Sequence, residues 1–190
     1  KRELESKIRR FLKRKEILAI LGTRRCGKTT LMRKIFNELK NAKFISFDDQ
    51  EILRIFKEDI NLFIKTYVED TDYLFIDEFQ YAKEGGKNLK YIYDTSKIKI
   101  FISGSSSSEL SIQGIKYLVG RIFVFNLYPL SFDEYFNYKD KDLYKIYQKN
   151  GISETIIKMI NKHYEEFLIF GGYPRVVISN NTDDKIEVLK

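Results

Sequence analysis

Among 190 residues there is one cysteine, one histidine, two prolines and no tryptophan. A single cysteine excludes an internal disulfide, which fits a reducing compartment and makes a cytoplasmic location the expectation. The lone histidine, His163, lies in a helical pattern without Cys or acidic ligands at metal-binding spacing, so a histidine-based metal site has no support. No apolar stretch approaches the roughly 20 residues that a membrane span requires, and no membrane partner is expected. No signal peptide is visible, although the chain does not begin with Met. With 32% charged and 43% hydrophobic residues, the composition suits a helix-rich soluble protein. The length allows one well-buried core plus an appendage.

What is present is more specific. Gly22-Thr23-Arg24-Arg25-Cys26-Gly27-Lys28-Thr29 spells G-x-x-x-x-G-K-T directly after the apolar run Ile17–Leu21. That order is the one phosphate binding needs: a buried strand aims a loop, and glycines let backbone N–H groups close around phosphate oxygens. Lys28 reaches the terminal phosphates, and Thr29 offers a hydroxyl to Mg²⁺. A helix over Thr29–Lys40 is expected, with Leu31, Ile35, Phe36 and Leu39 on one face. Its positive end then faces the anion, and Thr30 joins the loop amides as a binding residue. Cys26 reads as a small filler of a tight loop. Arg24 and Arg25 either enrich positive potential near phosphate or pair with acids nearby. The motif points to a nucleoside triphosphate.

Five short runs read as strands buried on both faces: Ile17–Leu21, Phe44–Phe47, Tyr73–Ile76, Ile98–Ile102 and Ile122–Phe125. Helical patterns separate them, at Thr29–Lys40, Ile52–Val68 and Lys87–Tyr93. This alternation implies an α/β protein with a parallel sheet and nucleotide at the carboxyl ends of its strands. Beyond Asn126 the sheet signal stops. Ser131-Phe132-Asp133-Glu134 has the form of a capping box and predicts a helix through Tyr138. Ser153 begins an amphipathic stretch to about Phe170, broken by Gly171-Gly172. The domain expectation is a core over 1–138 and the beginning of a helical lid over 139–190. The absence of a closing cap or tail at Lys190 reads as a fragment. The aromatic stretch from Phe123 to Tyr138 reads as core and lid packing.

Leu74-Phe75-Ile76-Asp77-Glu78 supplies the complement to the loop: a strand that delivers two carboxylates. In such enzymes the first acid holds Mg²⁺ through water and the second polarises the attacking water, which assigns Asp77 and Glu78 respectively. Water activation favours hydrolysis over transfer to a substrate hydroxyl. Ile98–Ile102 runs into Ser103-Gly104-Ser105, and a polar side chain at that strand tip could bond both the lytic water and the γ-phosphate. Ser103 is the first choice and Ser105 the second; the plain alternative is serines bonding backbone in a turn.

With these residues in hand, the chain resembles the prokaryotic (archaeal and bacterial) AAA-type P-loop ATPases, of the additional-strand, catalytic-glutamate group and STAND-like. The resemblance rests on Gly22–Leu31, Ile76–Gln80 (Ile-Asp-Glu-x-Gln), Gly104–Ser108, Leu118–Arg121, Tyr128–Phe132 and Gly171–Pro174, in that order along nearly the whole chain. It implies a five-stranded sheet ordered 5-1-4-3-2, a helical continuation, and an approach of Pro174 to adenine. It also implies adenine over guanine, since no Asn-Lys-x-Asp motif is present. Arg2-Glu3 is similar to an Arg-Glu element that precedes the first strand in such proteins. Arg121, following Gly120, could act as an arginine finger toward a neighbouring subunit, sense its own nucleotide, or be a salt-bridged surface residue.

The reading is ATP binding and Mg²⁺-dependent hydrolysis that drives a conformational switch, with Lys28, Glu78, Ser103 and Arg121 as the catalytic set. The alternative is a non-hydrolytic nucleotide-binding module for a protein or DNA partner. A net charge of +7 is compatible with DNA without establishing it. Lys7–Lys15 reads as a basic amphipathic helix with a solvated face or an anionic partner. Self-association is equally compatible.

Overall fold

A computed structural model describes residues 2–105, 115–150 and 153–190. Most of the serine-rich stretch Ser105–Ser108 falls outside them. Contacts divide the chain into two compact units, Leu4–Leu127 and Tyr128–Lys190, the second joined by the N-terminal residues through Glu3.

The first unit carries most of α1 (Glu3–Arg9), then β1 (Ile17–Gly22), α2 (Lys28–Phe36), β2 (Ala42–Ser46), α3 (Gln50–Glu58), α4 (Ile60–Phe63), β3 (Tyr73–Asp77), α5 (Gly86–Thr95), β4 (Lys99–Ser105) and β5 (Ile122–Asn126). The five strands form one parallel sheet in the order β2-β3-β4-β1-β5, which is the expected 5-1-4-3-2 order. In β1, Leu18 and Ile20 join the cluster on one face with Leu31, Met32, Ile35, Phe75 and Phe101. Ile17, Ala19 and Leu21 join the cluster on the other face with Phe56, Leu74, Ile76, Leu89 and Ile102. A period of two under helices on both sides therefore reads in sequence as one unbroken apolar run. Phe75 and Phe101 stack across β3 and β4 with ring centroids 4.2 Å apart.

Three expectations need correction. Only β1 and β4 are buried throughout, with β3 buried from Leu74 on; β2 and β5 are half-exposed because the strand order places them at the sheet edges. The single helix expected over Ile52–Val68 is interrupted at Asp59, whose carboxylate accepts from the Leu62 N–H (2.9 Å) and starts a new helix. Ile64–Val68 then closes as a π-type turn. The basic helix expected over Lys7–Lys15 ends at Arg9, and residues 10–15 are turns. Glu5, buried on α1, pairs with both Arg9 and Lys34 at 2.8 Å, so part of this charge is internally matched.

The second unit is all-helical: α6 (Phe132–Lys139), α7 (Lys141–Asn150), α8 (Glu154–Phe170), α9 (Pro174–Ile178) and α10 (Thr182–Leu189). Its core gathers Tyr135, Phe136, Leu143 and Val177, with Phe132 and Phe167 packed against them. The expected capping box is formed at Ser131 and Glu134. Glu134 also receives Arg2 at 3.2 Å, so the Arg-Glu element is anchored here through its arginine. Gly172 is required by packing: a Cβ there would lie 2.1 Å from the Leu130 carbonyl oxygen.

Candidate active site

Because all five strands are parallel, their carboxyl ends share one edge of the sheet, and the motif residues of the first unit converge there. β1 ends in Gly22, whose backbone is wedged between its neighbours. A Cβ at this position would lie 2.2 Å from the Leu127 carbonyl oxygen and 2.8 Å from Cys26 Sγ. Cys26 is fully buried and contributes to the core beneath the loop, as a filler should. Arg25 and Gly27 both take positive φ (64° and 98°), which turns the chain sharply into α2.

Gly27 caps α2 without a side-chain bond, and no acidic residue occupies the first turn. The first N–H groups of the helix therefore point out of the loop without an internal anion, an arrangement suited to phosphate. Lys28, nearly buried, donates through Nζ to the carbonyls of Gly22 (3.0 Å) and Thr23 (2.9 Å). Its charge is thus fixed across the loop mouth. Thr29 follows, half-buried, with Thr30 exposed beside it. Thr23 and Arg24 are exposed on the loop's outer rim, as is Arg25.

The second half of the site lies across the sheet. β4 separates β3 from β1, so Asp77 at the end of β3 stands two strand spacings, roughly 10 Å, from β1. Asp77 is 5% exposed and accepts from the hydroxyl of Ser103. Ser103, completely buried in β4, also accepts from the Glu78 N–H at 3.1 Å. Both uses of its hydroxyl hold the acidic pair in place. The serine expected at a strand tip facing water thus sits inside the strand, and β4 continues to Ser105, because residues 103–105 pair with Ile20, Leu21 and Gly22 of β1.

Glu78 itself departs from the strand into the left-handed region (φ 55°, ψ 41°), which turns the backbone out of the line of β3. Such a conformation is costly for a residue with a Cβ and characteristic of sites where geometry matters more than ease. Its carboxylate accepts from the side-chain amide of Gln80. Gln80 in turn accepts from the Ser105 N–H at 3.3 Å. Sequence reasoning gave Gln80 no role, although it closes the Ile-Asp-Glu-x-Gln segment on which the resemblance rests.

One further expectation separates from this centre. Arg121 precedes β5, and its carbonyl accepts from the Ile17 N–H (2.8 Å) at the start of β1. It therefore sits at the amino end of the sheet, on the order of 17 Å from the phosphate loop along β1, too far to sense its own nucleotide. Its guanidinium pairs with Asp94 at 2.9 Å, which is the salt-bridged reading. Pro174 belongs to the second unit, where it starts α9 at a position whose N–H a helix leaves unbonded. His163 approaches Asp140 at 3.7 Å, and no cluster of metal-ligating side chains occurs among the described residues.

A cavity of about 1060 Å³ also opens at the amino ends of the strands, lined in part by Arg14, Tyr73, Ile98 and Lys99. Lys99 Nζ is buried against the carbonyls of Arg14 (2.7 Å) and Glu16 (2.5 Å), and burial lowers its pKa to about 8. This cavity lies at the opposite end of the strands from the phosphate loop and shares none of its residues.

Among solved structures, the chain is similar in fold to a Walker-type ATPase of Pyrococcus abyssi (TM-score 0.57, 19% identity, 93% of this chain and 65% of that one). It is also similar to domain III of the Thermotoga maritima replication initiation protein DnaA (TM-score 0.55, 17% identity, 98% and 88%). In sequence it matches the uncharacterized protein MJ1544 of Methanocaldococcus jannaschii, 32% identical over 179 residues, 92% of this chain and 39% of that protein. An uncharacterized protein of Haemophilus influenzae is 26% identical over 175 residues, covering 86% and 41%. The chain thus spans about two fifths of these curated relatives. No helix among the described residues is long and apolar enough to cross a membrane. Residues 14–136 match the AAA domain model AAA_14, and on that match, with the phosphate loop and sheet order above, the chain belongs to this family of AAA domains.

Proposed function

We propose that this chain binds ATP with Mg²⁺ at the Gly22–Thr30 loop and hydrolyses its β–γ phosphoanhydride. The observation that carries the reading is the joint placement of three groups on one sheet edge. These are an anion-ready start of α2, a buried Asp77 fixed by Ser103, and a Glu78 turned out of the strand beside it. Lys28 and the first amides of α2 bind the β- and γ-phosphates and stabilise charge as it develops on them. Thr29 and Asp77 would hold Mg²⁺, which supplies neutralisation of phosphate charge when bound. Glu78 accepts a proton from water as the water oxygen bonds to the γ-phosphorus. The bond from phosphorus to the bridging oxygen breaks, its electron pair leaves with ADP, and inorganic phosphate is the second product.

Ser103 acts here as a positioning residue, holding Asp77 by its hydroxyl proton and the Glu78 backbone by its lone pair. Hydrolysis as the driver of a switch in the helices beyond Leu127, and contact of Pro174 with adenine, belong to the same proposal on the resemblance alone. Arg121 enters it only through a neighbouring copy.

The test is phosphate release from ATP and Mg²⁺ by the chain, by Glu78→Gln and by Lys28→Ala, beside a direct nucleotide-binding assay. Turnover lost in both variants, with binding kept in Glu78→Gln, is expected. Unchanged turnover in Glu78→Gln removes Glu78 from its role. Tight binding without turnover in the unsubstituted chain replaces hydrolysis with a nucleotide-dependent binding module.

A further inference from the structure

We propose that Gln80 is the positioning residue of the water-activating carboxylate, its side-chain amide tying Glu78 to the backbone of β4 at Ser105. The proposal rests on the reading of Glu78 as the general base.

The chemistry of the two ends leaves little choice of residue. A backbone N–H can only donate, so the amide oxygen of Gln80 must face Ser105. An ionised carboxylate can only accept, so the amide NH₂ must face Glu78. A glutamate at position 80 would set two carboxylates against each other, and an asparagine lacks the methylene needed to span both partners. An aliphatic side chain would make neither bond.

The tie has a firm base. Gln80 stands in the short helical turn Phe79–Tyr81, and its neighbour Phe79 is 1% exposed, packed among Phe47 and Phe56. The Glu78 backbone is held on its other side by the hydroxyl of Ser103. Three contacts therefore fix the carboxylate: its own left-handed backbone, Ser103 on the N–H, and Gln80 on one carboxylate oxygen. The second carboxylate oxygen is left to take the proton from water. Because Ser103 and Ser105 lie on the same strand, one strand sets the metal-holding acid, the base and the link between them. A displacement at the carboxyl end of β4 would thus move Glu78 through Gln80.

The test compares Gln80→Ala and Gln80→Glu with the unsubstituted chain and with Glu78→Gln, measuring kcat for ATP, nucleotide affinity and the side-chain amide signals of ¹⁵N-labelled protein. Gln80→Ala is expected to lower kcat by about 10- to 100-fold, as a misplaced catalytic group does, with ATP affinity within twofold. Gln80→Glu should lower kcat at least as far, because a second carboxylate repels Glu78 instead of donating to it. In the amide spectrum, the Gln80 NH₂ pair should move in Glu78→Gln, where a neutral amide replaces the charged acceptor. A Gln80→Ala chain with unchanged kcat, beside an inactive Glu78→Gln, overturns the tie alone. An active Glu78→Gln overturns the base assignment. If no variant or parent turns over, the amide signals decide: a Gln80 pair that Glu78→Gln leaves unmoved overturns the tie.

Discussion

Replacing Gly22 by alanine inserts a Cβ where its contacts are already set by two other elements. The added carbon would lie 2.2 Å from the Leu127 carbonyl oxygen and 2.8 Å from Cys26 Sγ. Contact between carbon and oxygen is comfortable only beyond about 3.4 Å, so something must yield by roughly an ångström. The sulfur belongs to a short side chain and can rotate or be removed. The carbonyl cannot, because the Leu127 N–H is bonded to the Leu21 carbonyl (2.6 Å) and holds the exit of β5 against β1. An overpacked core of this kind costs about 3 kcal/mol. In a chain of this size that lowers the midpoint of thermal unfolding by about 6–12 °C. Circular dichroism or differential scanning calorimetry on the nucleotide-free protein reads the effect directly. The double variant Gly22→Ala/Cys26→Ala separates the two obstacles and should remain destabilised, because the carbonyl is untouched. Unfolding of Gly22→Ala at the parent's temperature, or full recovery on removing the sulfur, would refute the argument from the Leu127 backbone. The first glycine of the phosphate loop would then be needed for the ligand rather than for the sheet.

Lys99 gives a pH prediction with a defined sign. Its folded pKa, lowered by burial to about 8, lies below the unfolded value near 10.5, so the unfolded chain binds the extra proton between these values. Its contribution is therefore fullest above about pH 10.5 and is lost as pH falls through about 8. The slope of stability between pH 8 and 10.5 should be shallower in Lys99→Met than in the parent by denaturant titration, and equal slopes would refute the buried charge. Arg121→Ala breaks the pair with Asp94 at the far end of β1, and nucleotide affinity should stay unchanged in a binding assay. A fall in turnover that grows with protein concentration would instead assign Arg121 to a neighbouring copy's site.

The phosphate loop, the strand before it and the helix after it were legible because strand, glycine and lysine are local requirements written in consecutive residues. The same holds for Asp77-Glu78, the last residue of one strand and the one after it, and for the capping box at Ser131, which spans four residues. Strand order came from the resemblance, since nothing local in Ile122–Phe125 says that it lies beside Ile17–Leu21. Tertiary structure decided the rest. It placed β2 and β5 at the edges, and it put Arg121 at the amino end of the sheet although sequence set it directly before a strand. It buried the Ser103 hydroxyl between two acidic residues and joined Gln80 to Ser105 across 25 positions of chain. Periodicity reports which side of a strand a residue takes; only the pairing of strands fixes which end, and which neighbour, its side chain meets.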